Sequence, residues 1–211
     1  MTLKISSTKV SLIDDNYQKI MSELGDFFGV KWIENQPKII IVDSRETFDE
    51  VMNKKTEKWL IGHASNRTIY VLDGSKFKTE ADREYNEEKY LALIKHELSH
   101  LFIEILNQPY IPLWLNEGIA IYIAGQNKSR KNIPTEFKNF LKFSKESIFG
   151  KETVYEESGF VIETLINKFN KEKLIKLIKS GNKDNESFNK CFKNIYGFDL
   201  SYININKIYH L

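Results

Sequence analysis

The stretch Lys95-His96-Glu97-Leu98-Ser99-His100-Leu101 combines two side chains that bind metals with one that moves protons. Residues Ala92 to Leu106 around it read as a helix, and four residues of helix bring His96 and His100 to one face, one turn apart. Two neutral imidazoles so placed can hold one zinc ion, and Glu97, next to the first, can reach a water on that metal. The same histidines also read as polar positions on an otherwise buried helix.

A catalytic zinc takes three protein ligands and leaves a fourth position to water. The third candidate is Glu117, within Trp114-Leu115-Asn116-Glu117-Gly118-Ile119-Ala120. Asn107-Gln108-Pro109 breaks the first helix, and Pro112 suits the first turn of a second, where its missing N–H is no loss. The second helix then lies back against the first. Glu117 stands among Trp114, Leu115, Ile119, Ala120 and Ile121, and a carboxylate in so apolar a setting needs a partner, which zinc can be.

His96-Glu97-x-x-His100 followed by Trp114 to Ala120 resembles the gluzincin clan of metallopeptidases, most closely its aminopeptidase-type branch and the small peptidase-MA-like domains. The resemblance implies that His96, His100 and Glu117 bind zinc and that Glu97 is the general base. It resumes at Tyr155-Glu156-Glu157-Ser158-Gly159-Phe160, similar to the tyrosine-led helix start that supplies a phenol to the transition state, and so implies that role for Tyr155. Tyr155 reads equally as a helix-entry aromatic packing on the core.

There are departures from the pattern. No G-x-M-E-N stretch for binding a free amino terminus occurs, so exopeptidase action is not implied. The thermolysin branch places an aspartate four residues after its ligand glutamate, and here that position is Ile121. The partner that orients the histidines must come from elsewhere. Glu104, one turn beyond His100, reads either as that partner or as a surface glutamate.

A chain of 211 residues with 41% hydrophobic and 13% aromatic content can bury a sizeable core in one domain or two closely joined lobes. The net charge is only +2. Residues 1–125 carry 15 basic and 19 acidic side chains and residues 126–211 carry 16 and 10, and the basic excess is spread over several helices as a solvated surface. Nucleic acid is therefore not an expected partner. The single cysteine, Cys191, excludes an internal disulfide and fits a reducing compartment. The opening Met1 to Ser7 lacks the apolar run of a signal peptide, and no later stretch is apolar enough to span a bilayer, so the expectation is a cytoplasmic chain without a membrane partner.

Helical spacing of Tyr17, Ile20, Met21, Leu24, Phe27 and Phe28 predicts a helix from Asp14 to Phe28, ended by Gly29. Lys38 to Asp43 reads as a buried strand, Glu46 to Met52 as a short helix, and Trp59 to His63 and Thr68 to Leu72 as a hairpin through Ala64-Ser65-Asn66-Arg67. His63 on its strand reads as structural. In the zincin-like order that this resembles, the strand before the zinc helix forms the sheet edge that can pair with an extended substrate, which here is Thr68 to Leu72; an ordinary hairpin strand is the other reading. The polar run from Asp73 to Glu88 reads as a surface connection, and Glu87-Glu88 opens the zinc helix. After a polar linker from Gly125 to Asn132, helices are predicted over about 135–143, 155–169, 172–179 and 186–196.

The expected fold is α+β and zincin-like, a small mixed-sheet lobe followed by a helical lobe. It forms a single catalytic domain over 1–211, with an α/β lobe at 1–86, zinc-binding helices at 87–125 and a helical lobe at 126–211. The expected function is a zinc-dependent peptidase with one zinc ion and a peptide or protein substrate. The alternatives are a zinc-containing peptide-binding module without turnover and a zinc amidohydrolase acting on a non-peptide amide.

Overall fold

The computed structural model describes residues 11–106, 110–128, 133–142 and 151–211. Met1 to Ser7, the break at 107–109 and the second half of the expected linker lie outside the described residues. The element order is α1 (Ser11–Phe28), β1 (Lys38–Val42), α2 (Arg45–Met52), β2 (Gly62–Ser65), β3 (Thr68–Leu72), α3 (Phe77–Glu80), α4 (Glu87–Ile105), α5 (Leu113–Ile123), α6 (Lys151–Phe169), α7 (Lys171–Ile178), α8 (Asn185–Tyr196) and α9 (Tyr202–Tyr209). Among the described residues it is mixed α+β and mostly helical, with one small sheet.

The sheet runs in the order β1-β3-β2, with β1 parallel to β3 and β2 antiparallel to it. Asn66 and Arg67, at φ 50 and 57, make the tight left-handed reversal that joins β2 to β3. The expectation that Thr68 to Leu72 forms the sheet edge is corrected: β1 pairs with it along its whole length, from Lys38 opposite Thr68 to Val42 opposite Leu72, and makes it the central strand. Its Ile69, Val71 and Leu72 are fully buried. The edge beside the rest of the molecule is β2. It starts later than the sequence predicts, because the Arg45 guanidinium takes the carbonyls of Lys58 and Leu60 at 3.1 and 2.6 Å and holds that segment as a turn.

Helix α4 begins at Glu87, with the Asn86 side chain accepting from Lys89 N–H and two glutamates against the positive end of the dipole. Its first turn is tied to the sheet by Tyr90 Oη, which donates to Leu72 O at 3.2 Å. One face, Ile94, Leu98 and Phe102, is wholly buried, and Phe102 stacks on Phe28 of α1 at 5.6 Å. Burial of each such side chain contributes about 1.5–3 kcal/mol, which fixes the helix's rotation and sends the opposite face toward β2 and α5. The Asp73 to Glu88 connection is more structured than expected. It holds a 3-10 turn at Gly74–Lys76 and then α3, whose Phe77 is buried edge-on to Tyr90.

Helices α5 and α6 pack at very short range. A Cβ on Gly118 would stand 2.6 Å from Ser158 O, and one on Gly159 would stand 2.5 Å from Ile121 Cγ2. The expected helix over 135–143 is absent from its described part, 135–142. Side chains from elsewhere take the backbone donors of this segment: the Glu157 carboxylate accepts from Lys138, Asn139 and Phe140 N–H, Asn206 from Phe137 N–H, and Tyr202 from Leu141 N–H, and those of Asn139, Phe140 and Leu141 are ones that the helix would have used internally. Helix α9, which supplies Tyr202 and Asn206, has no counterpart among the sequence expectations.

Candidate metal centre

All five residues singled out in the sequence line one cleft of about 920 Å³ between β2, α4, α5 and α6. His96 and His100 come from the face of α4 opposite its apolar contacts, with ring centroids 4.9 Å apart. Glu117 reaches in from α5, its Oε2 lying 3.4 Å from His96 Nε2 and 3.8 Å from His100 Nε2. One ligand atom from each of the three residues lies within 4.8 Å of the others, and among the described residues this is the group that can hold a metal ion.

The chemistry of the donor set fits zinc: two imidazole nitrogens, one carboxylate oxygen and room for a fourth ligand in an open cleft. The ring orientations fit as well. His96 Nδ1 lies 3.0 Å from Gln126 Oε1, and His100 Nδ1 lies 3.1 Å from Asn116 Oδ1. An amide oxygen is an acceptor, so in a neutral ring each of these contacts favours the proton on Nδ1 and leaves Nε2, on the side of Glu117, as the nitrogen able to bind a metal. The sought partners of the histidines are thus two neutral amides. Glu104 is exposed and is not among them. Asn116 was within reach of the sequence, being next to Glu117. Gln126 carried no signal, since it sits in what reads as a polar linker.

Glu97 lies on the side of α4 covered by β2 and is 7% exposed. Burial, followed by the neighbouring Glu117, pushes its carboxyl up to about 7, against a lowering by His100. A group titrating there can both accept and release a proton near neutrality. Edge strand and carboxylate meet at Gly62, which the sequence did not mark. His63 also lines the cleft, outside the three-residue metal group, and burial, with smaller effects of Lys54 and His100, holds its pKa below the usual value.

Tyr155 lies within α6, one turn in from Lys151, and points into the same cleft. Burial, reinforced by the charges of Glu117 and Glu97, raises its phenol far above the ordinary value, so it keeps its proton and remains a donor. Its ring lies 6.4 Å from that of Trp59, an exposed aromatic on the segment held by Arg45. The close approach at Gly118 and Ser158 is what brings Tyr155 to the side of the cleft that Glu117 occupies.

Two histidines from one helix, a glutamate from the next and a buried carboxylate at their side are the parts of a metallopeptidase-like domain. Residues 88–209, more than half of the chain, match the family model of the Peptidase MA superfamily, and the chain belongs to that superfamily. The matched span contains His96, Glu97, His100, Glu117 and Tyr155. No curated protein and no solved structure matches the chain.

Proposed function

We propose that this chain is a zinc-dependent peptidase of the gluzincin type with a zincin-like catalytic domain, in which His96, His100 and Glu117 hold one zinc ion. The observation that carries the reading is the convergence of three ligand atoms within 4.8 Å, beside a carboxylate that burial pushes up to about 7. A zinc ion supplies Lewis acidity, polarising a carbonyl and lowering the pKa of water toward neutrality.

The protein's own groups supply the rest. Glu97 accepts a proton from the attacking water and delivers it to the leaving amine. Tyr155 donates a hydrogen bond to the oxyanion that develops on the scissile carbonyl, a contribution of about 2.7–4 kcal/mol where such donors have been removed from enzymes. Strand β2, at the sheet edge and lining the cleft, pairs with an extended peptide through its backbone. The buried Glu97 favours hydrolysis over a binding module, because a structural zinc site has no use for a free carboxylate at its side.

The test is cleavage of a mixed peptide library read by mass spectrometry, with wild-type protein, wild-type protein plus chelator, and Glu97→Gln. Cleavage that needs both metal and Glu97 supports the peptidase. A wild-type protein that binds zinc yet cuts no peptide, while hydrolysing small amides, transfers the reading to an amidohydrolase.

A further inference from the structure

Gln126 owes its position to the way α5 ends. Gly125, at φ 70, adopts the left-handed conformation, and two reversed bonds close the helix: Gly125 N–H to Tyr122 O and Gln126 N–H to Ile121 O, both at 3.0 Å. This is a Schellman cap. On the far side Asn127, 2% exposed, donates from its Nδ2 to Glu163 of α6 at 2.8 Å. The turn is gripped from both ends, and it presents the Gln126 amide to His96.

A neutral imidazole carries one proton, and the nitrogen that carries it cannot bind metal. With Gln126 Oε1 3.0 Å from Nδ1, the proton is held on that nitrogen, and Nε2 faces Glu117 Oε2 at 3.4 Å. Asn116 does the same for His100 from inside α5. The two arrangements differ in origin: Asn116 follows from the helix that carries Glu117, whereas Gln126 depends on the cap beyond it. The side chain of Ile121, one turn after Glu117, is apolar and takes no part, and its carbonyl instead anchors Gln126. Because the amide is neutral, orientation is obtained without a further negative charge near Glu97 and Glu117.

We infer that Gln126 is the positioning residue of His96: its amide oxygen, placed by the Schellman cap at Gly125, selects the tautomer in which Nε2 can bind metal. This rests on the zinc reading above, and one titration separates the two. Zinc affinity is measured by competition with a chromophoric chelator for the wild type, Gln126→Ala, Gln126→Met and Gln126→Glu. Circular dichroism of each metal-free protein reports its fold. Wild-type protein that binds no zinc overturns the metal reading itself. Given wild-type binding, Gln126→Ala and Gln126→Met are expected to bind roughly 10- to 100-fold more weakly, and Gln126→Glu, which restores an acceptor, to bind at least as tightly as wild type. Should Gln126→Ala fail to fold, the size-matched Met and Glu variants carry the comparison. Wild-type affinity in Gln126→Met, or a Glu variant as weak as Met, overturns the inference. Nitrogen-15 spectra of the metal-free His96 ring give a readout that packing alone would not move: the Nδ1–H tautomer dominates in wild type and loses ground in Gln126→Met.

Discussion

Gly62 and Glu97 touch: a Cβ built on Gly62 would lie 2.6 Å from Glu97 Oε1 and 2.9 Å from its Cγ. The edge strand therefore seals the carboxylate that the proposed reaction uses, and only a residue without a side chain lets it come so close. Gly62→Ala is expected to cost about 1–3 kcal/mol of stability through overpacking and to displace Glu97 from its place beside the metal centre. Denaturant unfolding of the metal-free protein measures the first. Hydrolysis that falls while zinc content is unchanged measures the second, and wild-type values in both would show that the strand can yield.

In the proposed site Glu117 is the ligand that joins two helices, so its loss should read as lost metal-dependent stability. Zinc at a hundredfold excess over its dissociation constant stabilises a folded protein by about 2.7 kcal/mol. The melting temperature of the wild type is expected to rise with zinc and fall back with chelator. Glu117→Ala should show little of that rise. An equal rise in the variant would move the third ligand elsewhere.

Tyr155 is held in the cleft next to Trp59, and in the proposed mechanism its protonated phenol is the donor. Tyr155→Phe keeps the ring and removes only the hydroxyl. A fall in kcat of roughly 10²-fold, with KM and zinc affinity little changed, is the expected result. An unchanged kcat would return Tyr155 to the other reading, an aromatic that packs at the head of α6.

Glu157, two residues on, serves the fold rather than the cleft. It is 6% exposed and accepts from three consecutive backbone N–H groups and from Asn139 Nδ2. Each buried donor left unsatisfied costs about 1–3 kcal/mol. Glu157→Ala is expected to lower stability by several such steps, measured by denaturant midpoint, with much less effect from the nearby exposed change Glu156→Ala. Equal effects of the two would mean that the 137–140 turn finds other partners.

What could be read from the sequence was local. The pairing of His96 with His100 needs only helical periodicity, and Glu117 was marked by a carboxylate in an apolar helix. Strand positions and most helices followed from periodicity, with ends shifted by a few residues. Tertiary structure decided the relationships that depend on distant partners. Thr68 to Leu72 became central because β1, far back in the chain, pairs along it in parallel, and pairing of that kind leaves no mark on the strand's own pattern. Residues 135–142 lost their helix because Glu157 and Tyr202 took the donors of Asn139, Phe140 and Leu141 that it would have used. Gln126 looks like any polar linker residue until the cap at Gly125 turns it onto His96. Gly62 matters only where a strand crosses a buried carboxylate. The residue types of the candidate metal centre belong to the sequence, because they are chemistry carried on one helix and the next. Their orientation, burial and access were decided by packing between elements, because only three-dimensional contact sets a tautomer or excludes water.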